Sequence, residues 1–128
     1  MTASREAILE TVSAYVRLVA DGTTDELMDL FAEGATVEDP IGSEVRTTRA
    51  AIREFYATLE GLEQTAELSV VKIADGQAAF LFELVTHIGE TAYTIAPIDV
   101  MTFNEDGKIT SMRAFWSDAD AHIGSKSA

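Results

Sequence analysis

A single change of hydrophobic period, near residue 65, decides what this chain can fold into. Before it, apolar residues recur at helical spacing; after it they come in extended runs separated by turn residues. Ser4 can cap a helix whose stripe is Ile8, Leu9, Val12, Tyr15, Val16 and Val19, ending at Asp21 and Gly22. Thr23 with Glu26 is a capping box for a shorter helix through Leu27, Met28, Leu30 and Phe31. A short extended piece, "ATVEDP", follows, and Thr48 or a neighbour can cap a third helix with Ile52, Phe55, Tyr56 and Leu59 on one side. Beyond the switch, extended runs at 67–74, 77–88, 91–103 and 109–117 are divided by Asp75 and Gly76, by Gly89 and Glu90, and by a turn over 104–108. Four hairpin-linked strands form an antiparallel meander. The expected class is α+β, with three N-terminal helices packed on one face of a curved, mainly antiparallel sheet. At 128 residues this is one domain, 1–128, with a polar tail from Asp118 that is expected to fray.

Runs such as "AAFLFELV" and "IAPIDVMTF" are apolar on both faces, although an antiparallel sheet with one solvated face should alternate. No further helix is available to cover the second face, so a second copy of the chain in a twofold homodimer is the expected cover. The formal charge of -13 makes nucleic acid and membrane surfaces improbable partners, because a polyanion repels both. No apolar run approaches the ~18 residues needed to span a bilayer, so no membrane insertion is expected. The absence of cysteine removes disulfides, thiol nucleophiles and cysteine-rich metal sites, and suits a cytoplasmic protein.

The segment "TIAPIDVMTF" at 94–103 places one carboxylate in an apolar strand. Stepping by two puts Ile95, Pro97, Asp99, Met101 and Phe103 on one face. An ionised carboxylate there must either reach water at a bulge or edge, or find a partner. Tyr15 and Tyr56 lie inside helical stripes, and Asp39, held extended by Pro40, shares a strand face with Val37. Each has an ordinary reading, as a core aromatic or a turn initiator. Together, two carboxylates and two tyrosines converging between helices and sheet suggest proton chemistry on an apolar substrate. His87 falls on the strand face opposite Phe80, Phe82 and Leu84, and His122 is in the tail, so both read as surface residues. Gly22, Gly34 and Gly42 are isolated turn residues rather than a phosphate loop, and Ser43 and Ser111 lack a histidine partner.

The segments "AYVRLVADG", "LFAEGATVEDPIGSE", "AIREFYATL", "APIDVMTF" and "SMRAFW", in that order over nearly the whole chain, resemble the bacterial Δ5-3-ketosteroid isomerases of the nuclear transport factor two-like superfamily. The resemblance implies a sheet curled into a cone around a deep apolar pocket, a steroid ligand, and no cofactor or metal. It implies Asp39 as general base, moving a proton from carbon 4 to carbon 6, with Tyr15 and a protonated Asp99 donating to the ketone oxygen; ketosteroid isomerases are themselves a standard instance of a carboxylic acid kept neutral so that it can donate. Tyr56 would hold the Tyr15 hydroxyl in place. Phe55, Phe80, Phe82, Met101, Met112, Phe115 and Trp116 would line the steroid pocket, each also suited to plain core. Phe31 stands where some relatives carry a further tyrosine, which shortens the hydrogen-bond network. Two alternatives are a polyketide-cyclase-like or epoxide-hydrolase-like enzyme of the same fold, and a module that binds an apolar ligand without turning it over. The hydrolase chemistry wants an arginine between two carboxylates, and neither Arg53 nor Arg113 is clearly placed for it.

Overall fold

The computed structural model describes residues 2–125. Helix α1 (Arg5–Asp21) is capped by the Ser4 hydroxyl, which accepts from Ala7 N at 3.1 Å, and buries Ile8, Val12, Tyr15, Val16 and Val19. Leu9, expected in that stripe, is 38% exposed. It sits one residue off the buried line, where a 3.6-residue repeat turns it to the rim. Helix α2 (Thr24–Met28) has the full Thr23 and Glu26 capping box. It stops three residues short of expectation, because Phe31 belongs to strand β1 (Phe31–Glu38). Arg49 makes that stop secure, donating to the carbonyls of Met28 at 2.8 Å and Phe31 at 3.2 Å. Helix α3 (Arg49–Ala57) is capped by Thr48, whose hydroxyl accepts from Ala51 N, and buries Ile52 and Tyr56.

The meander follows as β2 (Glu63–Ala74), β3 (Gln77–Ile88), β4 (Thr91–Ile95), β5 (Ile98–Phe103) and β6 (Ile109–Phe115), with every neighbouring pair antiparallel. The run expected at 91–103 is two strands because Pro97 has no N–H to give the ladder. The register is unbroken across it: Leu84 pairs with Ile95, Leu81 with Ile98, and the Pro97 carbonyl accepts from Phe82 N at 3.4 Å.

Two pairings depart from the simple meander. Strand β1, longer than the expected 35–40 piece, lies parallel to β6, with Thr36, Val37 and Glu38 opposite Ser111, Met112 and Arg113. Gly34, at φ +76, is not an isolated turn; it absorbs the register shift between Phe31 and Thr36, a bulge that only glycine fits easily. The tail does not fray as expected over 118–125. A 3₁₀ turn (Asp118–Asp120) leads into β7 (His122–Ser125), which pairs antiparallel with β4; the remainder of that expectation, 126–128, lies outside the described residues. The result is three helices on a mixed, mostly antiparallel, curved sheet.

The core sits between helices and sheet. Phe80, Phe82, Asp99, Met101, Met112 and Ala114 face it, and the intervening residues Leu81, Ile98, Arg113 and Phe115 face away. Ile98 and Phe115 are cross-strand neighbours on that outer face, 48% and 41% exposed. His87 shares the outer side but is half-buried rather than fully exposed.

Candidate active site

Four elements deliver the polar groups to one apolar space. The Tyr15 hydroxyl on α1 and the Tyr56 hydroxyl on α3 are 2.8 Å apart, with their rings edge-to-face at 6.1 Å. Both side chains are buried, and both hydroxyls titrate well above the ordinary phenol value, chiefly because burial penalises the phenolate. Asp99 on β5 is 1% exposed, and its Oδ1 has no hydrogen-bond partner among the described residues. Burial pushes its carboxyl well above the usual carboxylate range, and the charge of Asp39 pushes it further. A buried carboxyl in that state is a neutral acid with an O–H to donate.

Asp39 sits just past β1, where the chain turns. The Asp39–Pro40 peptide is cis, and Ile41 N then donates to the Ala114 carbonyl at 2.8 Å, anchoring the turn to β6. The indole Nε1 of Trp116 donates to Asp39 Oδ1 at 2.9 Å. Burial raises the Asp39 carboxyl, while the Trp116 hydrogen bond and the Arg46 charge both act to lower it. The two carboxyls are thus unequal: one has a donor and a cation favouring its charge, the other has neither.

Tyr15, Asp39, Tyr56 and Asp99 all line one cavity of about 220 Å³ whose remaining wall is apolar. Of the aromatic and methionine residues named from sequence, Phe55, Phe82 and Trp116 line it. Phe80 packs behind it, its ring 6.3 Å from that of Tyr15, while Met101 and Met112 are a fully buried cross-strand pair in the core. The structure places Phe115 elsewhere. It lies on the outer sheet face beneath the Arg113 guanidinium, because it alternates with the inward Ala114 and Trp116. Val19, Pro40, Leu59, Leu84, Ile95 and Pro97 complete the wall without having been singled out. For Leu84, Ile95 and Pro97 the signal was present, since they share strand parity with Phe82 and Asp99. The Phe31 ring lies 5.7 Å from that of Tyr56, so the tyrosine pair meets carbon where a hydroxyl would have extended it.

The SnoaL-like domain family matches residues 12–112. This chain belongs to the SnoaL-like family. Among its relatives, the steroid Delta-isomerase of Nocardioides simplex is 47% identical over 109 residues, which cover 85% of this chain and 89% of that protein. The solved structure of SalBIII, described as an epoxide hydrolase/cyclase-like enzyme of pyran ring formation in polyether salinomycin, is 31% identical, with a TM-score of 0.87 over 94% of this chain and 98% of that one. The Δ5-3-ketosteroid isomerase from a Mycobacterium species is 19% identical, with a TM-score of 0.82 over 92% and 98%, and shows that this SnoaL-like protein has the ketosteroid isomerase fold. The resemblance drawn from "VEDPIGSE" and "APID" is borne out by these relatives.

Proposed function

We propose that this chain is a steroid Δ-isomerase, converting 3-oxo-Δ5-steroids to 3-oxo-Δ4-steroids through a dienolate. The observation that carries the reading is Asp99: a buried carboxyl whose Oδ1 has no partner among the described residues, sharing one apolar cavity with Asp39 and the Tyr15 and Tyr56 pair, in a chain 47% identical to a steroid Delta-isomerase. The Asp39 carboxylate takes the proton from carbon 4 and becomes a neutral acid. The electron pair moves through the enol system to the ketone oxygen, where Tyr15 and neutral Asp99 donate hydrogen bonds to the developing charge. Asp39 then returns its proton to carbon 6 and is a carboxylate again. Because the donors are fixed before the reaction, the charge is stabilised where it develops and little reorganisation is needed. Tyr56 fixes the direction of the Tyr15 hydroxyl. The partial lift of the Asp39 carboxyl by burial makes it a stronger base than a solvated aspartate.

The assay is direct: conjugated enone absorbance rises when 5-androstene-3,17-dione is added. A rate no greater than that in buffer overturns the reading.

The likeness to SalBIII favours a second reading, acid and base catalysis of epoxide opening by the same two carboxyls. The arginine that hydrolase chemistry needs between them is not supplied by Arg53, which pairs with Asp25 at 2.6 Å on the surface, nor by Arg113 on the outer face, and Arg46 acts on Asp39 with no resolved influence on Asp99. An epoxy-alcohol consumed where the 3-oxo-Δ5-steroid is not would favour that reading. The partly exposed apolar row on the outer sheet face supports a homodimer formed through that face. Absence of cysteine supports a cytoplasmic setting.

A further inference from the structure

Asp39 and Asp99 are two carboxyls in one apolar cavity, yet the proposed chemistry needs negative charge on only one of them. Burial acts on both, so other influences decide which is ionised, and at Asp39 these are first the Trp116 hydrogen bond and then the charge of Arg46, the only cation among them. Arg46 is built to do this. Its backbone forms an antiparallel pair with Val37, with Val37 N donating to the Arg46 carbonyl at 3.0 Å and Arg46 N to the Val37 carbonyl at 2.8 Å. Directly opposed residues of an antiparallel pair send their side chains to the same face, and Asp39 follows Val37 by two, so all three leave one face. The Arg46 guanidinium lies over the Phe55 ring, Cζ 4.3 Å from its centroid, and Phe55 is a wall of the cavity that holds Asp39. Its Nη1 is buried with no hydrogen-bond partner among the described residues. A cation desolvated in this way is costly unless nearby charge or an aromatic face compensates.

We propose that Arg46, seated on Phe55, is a positioning residue that confines the cavity's negative charge to Asp39 and leaves Asp99 neutral. This deepens the isomerase reading and rests on Asp39 being its base. The groups around Asp39 are the Trp116 indole beyond β6, Asp99 on β5, Tyr15 on α1, Tyr56 on α3 and Arg46 itself. Arg46 favours the ionised forms of Asp39 and Tyr56, whereas the resolved influences on Asp99 are burial and Asp39, both opposing its charge. Glu44 and Glu54 stand near Arg46 in an open depression of about 610 Å³ that also borders Phe55, but both are exposed and screened by water.

The test compares Arg46→Met, which keeps bulk over Phe55 without charge, with Arg46→Lys. Asp39 is titrated by carbon-13 carboxyl NMR, assigned against Asp39→Asn, alongside the pH profile of kcat/KM. In Arg46→Met the Asp39 titration and the acid limb both move up by about half a pH unit or more, as loss of a nearby opposite charge requires. Arg46→Lys stays closer to wild type. An Asp39 titration unmoved in folded Arg46→Met, or moved equally in both variants, overturns the inference. If circular dichroism shows Arg46→Met unfolded, Arg46→Gln is titrated under the same criteria. The NMR readout needs no turnover, so a protein that fails to isomerise steroid defeats the isomerase reading while Arg46 is still judged.

Discussion

At the scale of single residues, Asp99 and Asp39 are the same chemical group in two environments, and their substitutions should separate them. Asp99→Asn keeps a hydrogen-bond donor at the ketone oxygen, whereas Asp99→Leu leaves Tyr15 alone. The amide variant should retain clearly more kcat than the leucine variant, and equal rates in the two would remove Asp99 from the oxyanion site. Asp39→Asn has the same shape but no basicity, so turnover should fall by on the order of 100- to 10,000-fold or more while an equilibrium ligand such as a product steroid still binds. Near wild-type turnover would show that Asp39 is not the base. Both carboxyls were legible in the sequence because each is a charge where pattern demands carbon: Asp99 between Pro97 and Met101, Asp39 two residues from buried Val37. The Asp39 partner was less legible. Trp116 could be read as a pocket aromatic, but its indole hydrogen bond depends on where the chain turns after β1. Phe115 was misplaced for a simple reason, since adjacent residues in or beside a strand cannot both face inward.

At the scale of elements, local chemistry was readable and distant pairing was not. Ser4, Thr23 and Thr48 marked the three helix starts because a cap is a contact within three residues. Hairpins β2 to β6 were readable for the same reason, with turn residues between extended runs. The parallel contact of β1 with β6 joins residues more than seventy apart, and β7 pairs with β4 using a sequence too polar to announce a strand. Neither carries a local signal. Helix α3 offers the sharpest test at this level. It spans nine residues, carries Tyr56 and Phe55, and begins at the Thr48 cap. Thr48→Ala removes the acceptor for Ala51 N and should destabilise the protein by about 1 kcal/mol, lowering Tm by about 3 to 6 °C. Once folded, the variant still has Tyr56 in place, so kcat should change by less than about threefold. An unchanged Tm in a calorimetric scan would mean that tertiary packing alone defines the start of α3.

At the scale of the whole molecule, two features follow from what the fold leaves exposed and what it buries. The outer sheet face carries Ile98 and Phe115 side by side, each more than two-fifths exposed, and the proposed homodimer would cover them. Sedimentation at micromolar concentration should find a species of twice the 13.8 kDa chain, and a 13.8 kDa species alone would defeat the proposal. Burial of the two carboxyls sets the response to pH. Asp99 titrates well above the ordinary carboxylate range when folded, and Asp39 above it to a lesser degree. Unfolded, both return to a value near ~3.9. For a raised folded value the stability contribution is fully present below the unfolded pKa and is lost as pH rises toward the folded one, because only the unfolded chain releases its protons early. Each pH unit within that window removes about 1.4 kcal/mol per carboxyl. Wild-type stability should therefore fall from about pH 4 upward. Repulsion within a chain of formal charge -13 adds to the decline, so wild type alone cannot identify the source. Asp99→Asn removes one titrating group and leaves the rest, so its urea midpoint should decline less steeply than wild type between pH 4 and 8. Parallel declines would mean that Asp99 titrates in the folded chain where it does in the unfolded one, so that its burial does not control the fold's pH response.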